Sequence, residues 1–352
     1  MRLEQALEQI VPADQVAQAA AKRRWDSIAK PLGSLGLLEE AIIRIAGITG
    51  DSRVCLDQRC VVICCADNGV VAEGVTQTGS EVTAVVTENF CKGETSVAVM
   101  AQVAHCDLLP VDLGVARAVQ GDGLVVHKLG YGTGNIAREP AMTREQALEG
   151  IEFGLNLAGS LCAQGYQILA TGEMGIGNTT TSSAVAAVLL GCAPVQVTGR
   201  GAGLDSAGLS RKLAAIEQAL ALHQPDPTDP LDVLAKVGGF DLAGLCGVFL
   251  GAAVARRPVL VDGFISAVAA LLAVRLCPAA ADYLLASHCS KEPAGGRLLE
   301  ELGIRPMITA DMCLGEGTGA VAALPLLDMA LAVYNRMSTF AEIAIEAYQP
   351  QE

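Results

Sequence analysis

The residues able to do chemistry are acids placed beside glycine, and they recur at the ends of short apolar runs. Asp67-Asn68-Gly69, Asp112 before Gly114, Glu173 within Thr171-Gly-Glu-Met-Gly175, Asp262-Gly263 and Ser287-His288 all follow β-branched or apolar segments. In an open parallel sheet ligands bind outside the carboxyl ends of the strands, so this pattern predicts one crevice lined with acids. A single strand-end Asp is also an ordinary helix cap or turn former, and each one alone carries that reading too. Glu316 is the most unusual acid, because it stands between glycines in Leu314-Gly-Glu-Gly-Thr-Gly319 just before a predicted helix. Two readings stand for it: a first-turn acid favoured by the helix dipole, or a general base projecting into the crevice.

The chain has 38 glycines in 352 residues, above the usual ~7%, and they cluster. Gly130-Tyr-Gly132-Thr-Gly134, Gly175-Ile-Gly177-Asn178, Gly199-Arg-Gly201-Ala-Gly203 and Gly315-Glu316-Gly317-Thr318-Gly319 are the runs, the last three before predicted helices. Glycine lets backbone approach a ligand, and helix N-terminal amides hold phosphate. These runs predict a phosphate-bearing substrate. None is a dinucleotide fingerprint or a P-loop, which disfavours a nicotinamide-dependent dehydrogenase and an NTPase. No GxSxG is present, and Ser287 and His288 are adjacent and point apart on a strand, so a serine nucleophile is not supported and His288 reads as a strand-end or core residue.

Elements that must position these residues follow from periodicity. Strands are predicted at 60–67, 107–113, 123–129, 167–173, 258–264 and 283–288, alternating with helices near 82–104, from Thr143, and at 180–190, 210–223, 231–235, 241–255, 266–276 and 318–336. Thr143 and Gln146 form a capping-box pattern. The alternation gives an α/β fold, a parallel sheet flanked by helices. The first ~45 and last ~30 residues read as helical with no strand between them. The expected organisation is a small helical domain from residues 1–45 plus 325–352 and a catalytic domain over 46–324.

Composition narrows the partners. Apolar residues make up 51% of the chain, and 24 basic against 38 acidic side chains leave a net charge of −14. That argues against broad contact with nucleic acid or an anionic membrane. The mean hydropathy is +0.42, yet the longest apolar stretch identified, Leu242 to Ala255, is too short to span a bilayer. The opening residues carry early acids and no apolar core, which gives the expectation of a cytoplasmic protein. Twelve scattered cysteines without CxxC, and four His without HxxxH, give no expectation of a metal or of a disulfide framework; buried reduced thiols are the reading.

Seven ordered motifs carry a resemblance: Lys30-Pro-Leu-Gly-Ser-Leu-Gly36, Ala66-Asp-Asn-Gly-Val70, Gly172-Glu-Met-Gly-Ile-Gly-Asn-Thr-Thr180, Lys236-Val-Gly-Gly-Phe-Asp241, Leu260-Val-Asp-Gly-Phe264, Ser287-His-Cys-Ser290 and Leu314-Gly-Glu-Gly-Thr-Gly319. From about Lys30 to Asp328 the chain resembles the nicotinate-nucleotide–dimethylbenzimidazole phosphoribosyltransferases, which make the lower-ligand nucleotide of cobamides. The resemblance implies a Rossmann-like sheet domain, a small domain from both termini, and a homodimer. It also implies transfer of phosphoribose from nicotinate mononucleotide to an aromatic base, with inversion to an α-riboside and no cofactor or metal.

By the same resemblance Glu316 is the base, Glu173 a second acid of the site, and Asp262 the residue that holds ribose. Gly175, Gly201, Lys212 and Ser290 stand where the family binds phosphate and nearby groups, and Gly177, Asn178, Gly263 and Leu314 complete the substrate-binding set. One departure concerns the acceptor: where family members carry a Ser and, eight residues on, a Gln, this chain has Thr78 and Val86. Some relatives activate phenol or p-cresol, often as paired unlike subunits, so a phenolic acceptor and a heterodimer are the alternative expectation. A non-catalytic supporting subunit is a further alternative, against which Glu316 and Glu173 both count.

Overall fold

The computed structural model describes residues 1–349; positions 350–352 of the C-terminal segment lie outside the described residues. Its strands are β1 (Arg59–Ala66), β2 (Asp107–Gly114), β3 (Val125–Val126), β4 (Ile168–Met174), β5 (Val259–Val261) and β6 (Leu284–Ala286). They form one six-stranded sheet in the order β3-β2-β1-β4-β5-β6, with every pair parallel. The chain order reverses between β1 and β4, and such a switch point opens a crevice at the strands' carboxyl ends. All six predicted strands are present. The outer three are shorter than predicted, and each for a local reason: β3 is an edge strand with Val126 exposed, the helix after β5 begins at Phe264, and a 3₁₀ turn occupies Pro278–Tyr283 before β6.

The helices are α1 (Leu3–Leu7), α2 (Gln15–Ser27), α3 (Leu37–Thr49), α4 (Glu81–Lys92), α5 (Ser96–Val103), α6 (Arg144–Ala163), α7 (Asn178–Leu189), α8 (Ser206–His223), α9 (Pro230–Val237), α10 (Phe240–Val254), α11 (Phe264–Leu276), α12 (Gly295–Glu301) and α13 (Thr318–Arg336). Thr143 caps α6 with the reciprocal Gln146 bond its spacing predicts. The single helix predicted over 82–104 is two, because the chain turns at Gly93 and Thr95 caps a new helix on Ala98 N. Helix α12 escapes the periodicity because Pro293, Gly295 and Gly296 crowd its start.

Every residue of β1 is buried, as a central parallel strand requires. Its alternate side chains feed two cores: Cys60, Val62, Cys64 and Ala66 face the layer holding α6 and α10, while Val61, Ile63 and Cys65 face the layer holding α3 and α13. All twelve cysteines are free thiols, seven of them buried as small apolar groups.

The two ends of the chain meet. Ala29 N donates to Ser338 O, Phe340 N donates to Ser27 O, and Trp25 packs 5.0 Å from Tyr334. Helix α1 instead packs on α6 and α10 across the sheet. Helix α13 runs unbroken across position 325, from the strand ends to the terminal helices. Among the described residues it is the one helix long and apolar enough to cross a membrane by length and composition, its 19 residues including Asp328 and Arg336, whereas the Leu242–Ala255 stretch is more uniformly apolar but shorter. Half of α13 is buried, and its Asp328 pairs at 2.8 Å with the buried Arg59. The Lys30–Gly36 motif links α2 to α3, where Lys30 Nζ reaches Glu39 Oε1 at 2.5 Å in the interior.

Candidate active site

A cavity of about 320 Å³ opens at the carboxyl ends of the strands, close to the switch point. Its wall includes Glu316, Glu173, Gly175, Gly177, Asn178, Gly201, Asp262, Gly263, Ser290, Leu314, Thr78 and Val86. Lys212 is the one residue of the expected set that does not reach the wall. It lies fully buried behind the Gly201 turn, its Nζ 2.8 Å from Thr179 Oγ1 and 3.1 Å from Gly199 O. Burial holds its ammonium down at about 8, opposed by the nearby Glu292 carboxylate.

Of the five strand ends, two do not reach the cavity. Asp67 accepts from Thr83 Oγ1 at 2.6 Å and Ala116 N at 2.7 Å; Asp112 accepts from Val115 N at 2.8 Å and pairs with Lys128. Both are turn-fixing acids. The glycine run at Gly130–Gly134 is also structural, because Gly132 lies against Asp67 and Gly134 against Pro140. The Ser287 hydroxyl is turned into the protein, bonded to Val261 O at 2.6 Å.

Glu316 owes its position to its neighbours. Gly315, Glu316 and Gly317 have φ of 90°, 62° and 93°, three successive left-handed residues. An L-residue held there is strained, and such strain gathers where a side chain must be aimed. The half-buried carboxyl accepts from Val97 N at 3.3 Å, an amide of the first turn of α5. Burial raises its pKa, the Val97 bond lowers it, and Asp262 raises it again, leaving the group above the ordinary range.

Beneath Glu316 the acids are deeper. Glu173 ends β4, bonds the Asn178 amide, and is pushed up to about 8 by burial and then by Asp241 and Asp262. At neutral pH it is therefore protonated, a hydrogen-bond donor and not the counter-ion to positive charge that a carboxylate would provide. Asp262 accepts from Ala320 N at 2.9 Å and Gly317 N at 3.2 Å, and the Gly319 and Gly263 amides also face it, so it fastens the start of α13 at the edge of the cavity. Burial raises it to about 6 against those amides. His288 is 4% exposed, 3.1 Å from Ser287 Oγ, and lowered by burial; it is a packed neutral imidazole that also borders the cavity.

The site includes residues the motifs did not single out. Arg200 stands inside the Gly199–Gly203 run and is a basic side chain on the wall, bonded to Leu204 O at 2.7 Å. Its place between two glycines was a signal to find it. Met174 and Ile176 flank Gly175, and Gln77 bridges from the Thr78 segment to Ala202 O at 3.1 Å. For Gln77 the sequence holds no signal, since the contact is with a loop over a hundred residues away. Among the described residues no group of three His, Cys, Asp or Glu is placed to hold a metal.

The buried acids set a pH dependence of stability. Glu173, with an ordinary value of 4.5, holds its proton to about 8 in the native protein. Between those values the folded chain binds a proton that the unfolded chain releases, so its contribution is present at low pH and lost as pH rises through 8. Replacing Glu173 with Gln is expected to flatten the fall in melting temperature between pH 5 and 8. Equal slopes for both proteins would contradict that protonation state.

Comparison with known proteins agrees with the motifs and the fold. A family model described as phosphoribosyltransferase, DBI_PRT, matches residues 10–345. The nicotinate-nucleotide–dimethylbenzimidazole phosphoribosyltransferase of Acetivibrio thermocellus is 49% identical over 94% of each chain, and that of Ruminiclostridium cellulolyticum is 47% identical over the whole of both. The crystal structure of CobT from Thermus thermophilus superposes with a TM-score of 0.90 at 40% identity, covering 95% of this chain and 100% of that one. With motifs, sheet order and full-length similarity in agreement, the chain belongs to the nicotinate-nucleotide–dimethylbenzimidazole phosphoribosyltransferase family.

Proposed function

We propose that the chain transfers the phosphoribosyl group of nicotinate mononucleotide to an aromatic lower-ligand base such as 5,6-dimethylbenzimidazole, giving an α-ribotide and nicotinate for cobamide assembly. The observation that carries this reading is Glu316, a carboxyl on a strained glycine-flanked turn over the same cavity as Glu173. Nicotinate is a cationic pyridinium in the donor and departs as a neutral ring nitrogen, taking the electrons of the broken C–N bond. The anomeric carbon gains oxocarbenium character as the acceptor attacks from the opposite face. The acceptor's proton passes to Glu316, which burial and Asp262 make a stronger base than an ordinary carboxylate.

Phosphate is received by the amides at the start of α7 and the Gly201 turn, with Lys212 supplying positive charge from behind and Ser290 a hydroxyl. Asp262 and Gly263 border the ribose. Asn178 sits in the first turn of α7, where its side chain is engaged by Glu173 and its backbone N–H closes a turn on Gly175 O at 3.1 Å, so it shapes the wall at the start of the helix. The protein works in the cytoplasm as a homodimer, in this reading without a cofactor.

A second acceptor reading rests on Val86. The wall near Thr78 is continued by Val86, Met174 and Leu314, with no side-chain amide at Val86 to pair a ring nitrogen. A buried polar group left unpaired costs ~1–3 kcal/mol, which favours a phenolic ring over a benzimidazole there. Product chromatography with nicotinate mononucleotide and equal dimethylbenzimidazole and p-cresol tests both. Ribotide from dimethylbenzimidazole supports the first reading, phenolic ribotide the second, in that case with an unlike partner subunit to be sought. No nicotinate release with any aromatic base overturns both. Val86→Gln is expected to shift the product ratio toward benzimidazole by about tenfold, the equivalent of one such hydrogen bond.

A further inference from the structure

Two loops with exposed tips meet at the cavity, and one amide side chain joins them. The first runs from Gly74 to Thr78, ahead of α4, and ends on the wall proposed for the acceptor ring; the second is the turn from Arg200 to Leu204, ahead of α8. Gln77 Nε2 donates to Ala202 O at 3.1 Å and also to Gly203 O. An amide nitrogen carries two hydrogens, so one group serves both carbonyls. Each carbonyl belongs to a peptide unit whose other end is held as well, because Gly203 N and Leu204 N donate to Arg200 O at 3.2 and 3.0 Å. A planar peptide unit gripped at both its N–H and its C=O has a fixed plane. Gly203 makes the approach possible: at φ 94° it carries no Cβ, and one placed there would stand 3.0 Å from Gln77 Nε2.

Each loop leaves donors unused. The Gly201 and Ala202 amides donate to nothing among the described residues, and neither do the main-chain amides of residues 75–78. The Gly74–Thr78 loop is therefore held by little. Thr76 Oγ1 bonds only within it, to Thr78 O at 2.8 Å, while Val75 is buried and Arg211 Nε reaches Gly74 O at 2.9 Å. Those last two anchors fix where the loop begins. Beyond them, Gln77 is the tie to another segment, and it adjoins Thr78.

We propose that Gln77 is a positioning residue that couples the two halves of the site: it locks Thr78 to the Gly201 turn, so that a phosphate ester on the turn tightens the binding of a flat ring against Thr78. The proposal deepens the phosphoribosyl-transfer reading and rests on it for which ligand lies where. A phosphate bonded to the free Gly201 and Ala202 amides restrains the same turn that Gln77 restrains. The loop is then ordered once for both ligands, and the second to arrive binds to a wall already in place. Such a coupling is reciprocal, so the ring tightens the phosphate by the same factor. Without the Gln77 bonds the turn and the Thr78 wall are held separately, and each ligand orders its own loop.

The test is calorimetric titration of the full-length protein with 5,6-dimethylbenzimidazole and, separately, p-cresol, each with and without saturating ribose 5-phosphate. That fragment carries the donor's sugar and phosphate but no leaving group, so nothing reacts. In the parent, ribose 5-phosphate is expected to tighten the ring that binds by about fivefold, the size of one neutral hydrogen bond. Gln77→Leu keeps the stem without donors, and Gln77→Glu keeps the size but can only accept; in both the factor is expected to fall to about 1. Gln77 is exposed and Arg211 keeps its bond to Gly74 O, so neither change opens the core. A ring bound more weakly but with the parent's factor marks a merely structural side chain and overturns the proposal, as does a parent that shows no tightening. Ribotide formation from nicotinate mononucleotide is assayed beside it. A factor lost in the variants without ribotide from the parent overturns the reaction and leaves the Gln77 link standing; ribotide with an unmoved factor overturns the link alone.

Discussion

Glu316→Gln is expected to lower kcat by about 10²–10⁴-fold while leaving the KM for nicotinate mononucleotide within about twofold, the range set by losing a positioned general base. The substitution is nearly isosteric. A Gln carbonyl still accepts from Val97 N, so the bond that fixes the turn at 3.3 Å survives. The glycines on either side keep their left-handed geometry, and the cavity keeps its shape. Only the capacity to take a proton is removed. The same variant should lose the acidic limb of the pH–rate profile, which in the parent lies above the ordinary carboxylate range because burial and Asp262 raise the group. Steady-state kinetics with chromatographic detection of nicotinate and ribotide measures both. Turnover within twofold of the parent would remove Glu316 as the base.

The place of Glu316 was open to a reader of the sequence, because a Glu between glycines just before a helix stands out, but the pattern left two roles for it and the choice of base came from the resemblance. The sheet was open too: short runs such as Cys60–Ala66, apolar at every position and β-branched at its centre, read as central parallel strands, and both cores draw on their alternate side chains. What sequence could not separate was acids with the same local signature. Asp67 and Asp262 both end strands beside glycine, yet Asp67 ties down Ala116 and Thr83 while Asp262 borders the cavity. The difference lies in which strand neighbours which at the switch point, a long-range fact. Lys212 shows the converse, a position inferred by resemblance whose ammonium is buried on Thr179 Oγ1 and Gly199 O and does not reach the cavity wall.

The turn itself is the second large effect. In Gly315→Ala the backbone must hold an alanine at φ 90°, and its Cβ would overlap Glu173 Oε1. Oε1 has little freedom to withdraw, since the carboxyl is buried and its other oxygen is bonded to Asn178. The turn has to move instead, and it carries Glu316 with it. A displacement of about 1 Å at a reacting group costs on the order of 10²-fold in rate. The expected result is a drop in kcat of about that size or more, with destabilisation of about 1–3 kcal/mol from left-handed strain and overlap together. Gly303→Ala separates the two causes: Gly303 has φ 66° with nothing within 4 Å of the added methyl, and it lies outside the cavity wall. It should lose about 1 kcal/mol through the same backbone strain and keep full turnover. Thermal unfolding and kcat measured on both proteins decide the matter. Gly315→Ala with turnover within about threefold of the parent would show that the loop and Glu173 are not locked together, and the aim of Glu316 would then need another cause.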